Sequence, residues 1–180
     1  MTTAHTDTFI IDNMPPKEMW PEMDYSVLPE LAAYPERMNV ATELLDKMVA
    51  EGCADKPMIY FGDDIWTYTD LMERANQIAN VLVEDYGLVP GERVILRSGN
   101  HPMLIASWFA VLKAGGIAIA TMPVLREREL VYMMGKAKVN LAISDIKLAD
   151  DIAAAGKKSD DLRDILYFGG DNAKSLDKAM

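Results

Sequence analysis

A single cysteine, Cys53, stands among 180 residues, which excludes an internal disulfide and any cysteine-based metal cluster. Long apolar runs are also missing. The longest nearly uncharged stretch, MLIASWFAVL from Met103 to Leu112, falls far short of the ~20 residues a membrane-crossing helix needs. The opening segment MTTAHTDTFIIDN has no basic stretch leading into an apolar core, so no signal peptide is expected and the cytoplasm is the expected compartment. Basic side chains are outnumbered, 18 against 28 acidic ones, for a net charge of −10. A field of that sign repels phosphate backbones and anionic lipid, so neither nucleic acid nor a membrane is an expected partner. Histidine occurs only twice. His5 sits in a terminal segment and His101 at a helix start, without a nearby partner for a triad or a metal, and no metal site is expected. GxxxxGK[ST], GxGxxG, HExxH and GxSxG are absent, so no catalytic residue can be named from a motif.

What is present is a chain that is half apolar and of single-domain length, enough to bury roughly 70% of its unfolded surface. Five of the nine prolines fall before residue 39: Pro15, Pro16, Pro21, Pro29 and Pro35. Residues 1–38 are therefore expected to form an extended arm, pinned to the domain by Trp20, Tyr25 and Tyr34. Residues 39–180 read as one α/β unit.

Within that unit the hydrophobic pattern alternates between two periods. Val40, Leu44, Leu45, Met48 and Val49 predict a helix over 40–51. MIYFG and IWTY flank Asp63 and Asp64 and predict a hairpin. Thr67 stands three residues before Asp70, the capping-box spacing, and opens a helix that Gly87 ends. A strand in ERVILRS follows, then a helix capped by Asn100 that is apolar nearly all round and so expected to be buried on most sides. IAIAT reads as an apolar strand covered on both faces. A helix over Glu127–Lys138, the strand NLAIS, a helix over Leu148–Ala155, the strand ILYFG and a last short helix complete the pattern. Such alternation predicts βαβ crossovers and a mostly parallel sheet flanked by helices.

The paired glycines in LKAGGIAIATMP lie after a helix and before a strand. Phosphates bind at helix N-termini, where free N–H groups and the positive dipole end converge. This order presents carbonyls instead, so Gly115 is expected to be a left-handed helix stop, with Lys113 matching the negative end. The adjacent pairs Asp63–Asp64, Asp150–Asp151 and Asp160–Asp161 are expected to be solvated turn and helix-end charges. Cys53, without a basic neighbour, is expected to be a resting thiol. Arg126 and Arg128 in LREREL follow a strand end, where open α/β sheets bind ligands, and are the candidate substrate-binding residues. The alternative is alternating charge on an exposed helix start.

Several of these segments together resemble the adenylate-forming superfamily of acyl- and aryl-CoA synthetases, peptide-synthetase adenylation domains and luciferases. WTYTDL resembles its first core motif and LKAGGIAIATMP its second. GERVILRSGNHPMLIASWFAVLKAG and ELVYMMGKAKVNLAIS resemble the stretches before and after the second motif. The arm together with TMPVLREREL is similar to the benzoate- and 2-aminobenzoate-CoA ligase branch. The resemblance implies the N-terminal subdomain of that synthetase fold, truncated. It implies a parent that uses ATP, magnesium and CoA to turn a carboxylate into an acyl-adenylate and then a thioester. The motifs that carry this chemistry in the family lie later, and none occurs in these 180 residues. The expectations are therefore no catalytic residue, no cofactor held by this chain alone, and a missing C-terminal portion as its partner. Apolar surface left open would favour a homo-oligomer. The competing readings are a stand-alone α/β binding or assembly module and a small-anion binder using Arg126 and Arg128.

Overall fold

The computed structural model describes residues 3–170 and 174–180. The segment ahead of residue 39 contains two single-turn helices, α1 (Phe9–Asp12) and α2 (Pro29–Ala32), and is largely exposed. It is held at its start rather than by the aromatics expected to pin it. The Thr6 and Asp7 N–H groups both donate to the Pro90 carbonyl, and Asp7 pairs with Arg93 at 2.7 Å. Phe9 lies under that guanidinium at 4.9 Å. Tyr25 and Tyr34 stand about half exposed, and the Trp20 indole donates within the segment, to the Pro15 carbonyl.

A helical segment follows from residue 40, π-wound at Thr42–Asp46 and again from Val49, until Gly52 (φ +91°) breaks the helical backbone ahead of Cys53. Its buried residues are Ala41, Leu45 and Cys53, while Val40 and Leu44 face solvent. The expected face is phased for 3.6 residues per turn; the wider winding brings Ala41 and Leu45, four apart, into line instead, and Cys53 is buried beyond the Gly52 break. The hairpin of β1 (Pro57–Phe61) and β2 (Asp64–Thr67) forms where it was expected. So does the capping box: Thr67 Oγ1 accepts the Asp70 N–H at 3.1 Å and Asp70 accepts the Thr67 N–H at 2.8 Å. It opens α3 (Tyr68–Asn80), which continues as π-helix over Val81–Asp85.

The central sheet has four parallel strands: β3 (Arg93–Arg97), β4 (Ile117–Thr121), β5 (Leu141–Asp145) and β6 (Asp164–Phe168). The helices α4 (Pro102–Lys113), α5 (Glu127–Ala137) and α6 (Ala149–Gly156) make the crossovers, and α7 (Leu176–Ala179) follows β6. Strand order is β4-β3-β5-β6. Two apolar layers sandwich the sheet. Val94, Leu96, Leu141, Ile143 and Leu166 meet α3, α4 and segment 40–53 on one face. Ile95 and Ala142 meet Leu130 and Met134 of α5 and Ile152 and Ala155 of α6 on the other. Successive strand residues point to opposite faces, which is why Val94 and Leu96 separate from Ile95. The α4 helix is less enclosed than its composition implied, with Leu104, Trp108 and Leu112 half-buried and Ile105 exposed. Its neighbour β4 is less covered than expected, with Ala120 exposed and the rest half-buried, because the chain crosses back over β3 to place β5 on the far side and leaves β4 as an edge strand.

Candidate functional site

That crossing back fixes where a site can form. The chain leaves β3 in one direction through α4 and returns to its other side through α5, so strand order reverses beside β3. Ligands in open α/β sheets bind beyond the carboxyl ends of strands at such a reversal. At this edge stand Arg97 at the end of β3 with Ser98 after it, Thr121 at the end of β4, Ser144 and Asp145 at the end of β5, and Phe168 at the end of β6.

Arg97 is the central residue there. It is fully buried, an unusual place for a cation, and its Nη atoms donate to the carbonyls of Met122 (3.2 Å), Pro123 (3.2 Å) and Leu125 (2.7 Å). Those three acceptors fix the loop that joins β4 to α5. Burial pulls the guanidinium below its ordinary pKa, while Asp151, 3.9 Å away, opposes that shift. Asp151, read from sequence as a solvated charge, is instead a junction. It accepts from Arg126 Nη1 at 3.1 Å and from the Glu127 N–H at 3.1 Å. The second contact satisfies an orphan donor at the start of α5 from the first turn of α6. The Arg126 guanidinium, with the Glu127 N–H and Arg97, holds the Asp151 carboxyl below the usual carboxylate range against the opposing effect of burial.

Arg126 and Arg128, the sequence candidates, both line an open groove at the start of α5 with Glu127, Val131, Asp151 and Lys158. Arg126 is 77% exposed and engaged with Asp151, and Lys158 pairs with Glu127 at 2.5 Å. Arg128 is exposed. Arg97 escaped the sequence reading because it is one charge within an apolar strand. The signal that could have found it is the neighbouring run VIL, which demands burial on both faces.

The β3–α4 loop, Ser98-Gly99-Asn100-His101, has the strand-glycine-helix polarity of an anion cradle. Its helix end is closed, however. His101, not Asn100, is the cap: its Nδ1 accepts the Met103 N–H at 3.1 Å, the Leu104 N–H reaches the His101 carbonyl, and Pro102 has no N–H. The imidazole lies between Phe61 (4.9 Å between ring centres) and Phe168 (5.2 Å), tying the hairpin to the sheet. The opposite end of α4 behaves as expected for a helix stop. Gly115 has φ +75°, Asn39 Nδ2 donates to the Leu112 carbonyl at 2.8 Å, and Lys113 pairs with Asp46 and Asn76. Cys53 is a buried free thiol. Among the described residues, no group of three or more His, Cys, Asp or Glu side chains could hold a metal, and no helix is long and apolar enough to cross a membrane. The carboxyl edge is thus a lattice that positions loops, with its charges engaged in holding them.

Comparison with known proteins agrees with the fold. The family model described as "AMP-binding enzyme" matches residues 46–178. A benzoate–CoA ligase of Thauera aromatica is 26% identical over 153 residues, 85% of this chain and 29% of that protein. A 3-hydroxybenzoate–CoA ligase of Aromatoleum sp. (strain CIB) is 29% identical over 112 residues, 62% of this chain and 21% of that protein. The crystal structure of the anthranilate CoA ligase AuaEII with anthranoyl-AMP superposes with a TM-score of 0.74 at 24% identity, over 87% of this chain and 28% of that one. The chain therefore spans between a fifth and a third of the length of these relatives.

Proposed function

The chain belongs to the family of AMP-binding enzymes, and from that premise we propose that it is the opening α/β segment of an ATP-dependent aryl-CoA ligase, inactive by itself. The observation that carries this reading is the likeness to benzoate–CoA ligase over 85% of the chain. Likeness to the hydroxybenzoate–CoA ligase points to the same class of acid. The whole enzyme would join a benzoate-like carboxylate to AMP, releasing pyrophosphate from ATP, and then transfer the acyl group to the CoA thiol. Magnesium would neutralise phosphate charge. This chain's contribution is the scaffold: Arg97 and Asp151 fix the loops at the carboxyl edge, and Arg126 and Arg128 border the groove facing outward from it. That groove is where a carboxylate or phosphate would first meet positive charge. The compartment consistent with such chemistry is the cytoplasm.

Two measurements test this. ATP–pyrophosphate exchange with benzoate or 2-aminobenzoate, magnesium and the isolated chain is expected to stay at background; exchange above it overturns the inactivity. Reading the coding sequence past the codon for Met180 is expected to show a Ser/Thr/Gly-rich loop ending in Pro-Lys-Gly. A stop codon at that point removes the ligase reading.

A further inference from the structure

The β4 strand is the one edge of the sheet without any of the usual protections. Edge strands are guarded by lysine, proline, a bulge or a covering segment, because their unpaired backbone groups template further pairing. Ile117–Thr121 contains none of these residues, and the described residues pair it with β3 alone. Residues 114–125 form twelve consecutive positions without a charge in a chain of net charge −10. At this edge two copies could approach without the repulsion that operates elsewhere.

The backbone phase shows which groups are open. Ile117 N–H donates to the Glu92 carbonyl, so residue 117 points its peptide groups toward β3. Alternation sends those of Ile119 and Thr121 the same way and leaves those of Ala118 and Ala120 facing outward. We propose that two copies of this chain associate by antiparallel pairing of their β4 strands, centred on Ile119. Ala118 of each copy then faces Ala120 of the other as a hydrogen-bonded pair, four bonds in all, and the two Ile119 residues meet across the two-fold axis as a non-hydrogen-bonded pair. The strand is self-complementary in this register, which is what an isologous contact requires. Alanine at both bonding positions leaves room for the partner backbone. Met122 (63% exposed) and Val124 (71% exposed) just after the strand add apolar surface next to it. The β6 edge differs: Tyr167 N–H donates to the Lys174 carbonyl and Tyr167 bridges to Ser175, so part of it is already occupied.

Light scattering across a micromolar concentration series tests the association, with a mass of twice 20.0 kDa expected. A monomer throughout overturns the proposal. Ala120→Lys, at an exposed position, is expected to return the chain to a monomer with an unchanged circular dichroism spectrum; a dimer that survives it overturns the β4 contact. The register has its own test on a Cys53→Ser background. Under mild oxidation Ile119→Cys is expected to cross-link to itself, whereas Ala120→Cys does so only when mixed with Ala118→Cys. Self-cross-linking of Ala120→Cys, or none by Ile119→Cys, overturns the pairing. None of these readouts depends on ligase activity.

Discussion

Arg97 carries its charge where only carbonyls and one carboxylate can receive it. Removing the guanidinium takes away a charged donor from the part-buried carbonyls of Pro123 and Leu125 and leaves Met122 with the Leu125 N–H alone, and hydrogen bonds to a charged group are worth about 1.5–3 kcal/mol each. Arg97→Met is therefore expected to destabilise the chain by about 3 kcal/mol in urea titration. Arg97→Lys keeps the charge but offers a compact ammonium in place of a planar fork, and falls between the two. An Arg97→Met midpoint equal to wild type would show that the Met122–Leu125 loop is held by something else. The sequence marked the neighbourhood of this residue through Arg126 and Arg128, since both follow a strand end. It did not mark Arg97 itself, because periodicity locates burial but not which buried residue is a cation. His101 was legible only as lying at a helix start; that it caps the helix through Nδ1 depends on Phe61 and Phe168 holding the ring, and both are distant in sequence.

Elements that set their own ends were legible, and those shaped by a neighbour were not. The α3 cap is local, written in Thr67 and Asp70, and Thr67→Ala is expected to cost about 1 kcal/mol, read as a lower urea midpoint. A midpoint unchanged by Thr67→Ala would mean that contacts from the hairpin fix this helix start. The parallel strands were legible as apolar runs, but their order was not, because a run records burial and not which strand lies beside it. Segment 40–53 was mis-phased because its winding answers to α3 and the sheet beneath it. The start of the chain shows the same dependence. Gly91 has φ +94°, and a Cβ there would lie 2.2 Å from the Asp7 carbonyl oxygen and 2.8 Å from His5 Cβ. Gly91→Ala must therefore displace residues 5–7 from the Pro90 turn as well as strain its own backbone. Faster hydrogen exchange at Thr6 and Asp7, with the sheet amides unchanged, is the expected outcome. Uniform acceleration would instead place the cost in the core.

At the scale of the molecule, carboxylates join parts that the sheet alone does not. Asp7 ties the start of the chain to β3 through Arg93, Glu92 ties the start of β3 to Arg163 just before β6, and Asp151 ties α6 to α5. Burial pushes the Asp7 and Glu92 carboxyls up, but their arginines and the backbone N–H groups of Phe9 and Val89 outweigh it, so both are held below the usual range. Asp151 is lowered chiefly by Arg126. In each case the unfolded chain takes up protons first as pH falls. The stability these ties contribute is complete above the unfolded carboxyl values near 4, and it is lost as pH drops through the lower folded values. Urea midpoints are therefore expected to be flat from about pH 7 to 5 and to fall between about pH 5 and 3. Glu92→Gln isolates one tie, since the amide keeps the shape and cannot titrate. It should lower the midpoint at pH 7 and make the acid decline shallower, so that the two curves converge at low pH. Curves that stay parallel down to pH 3 would show that the Glu92–Arg163 pair contributes nothing to the acid response.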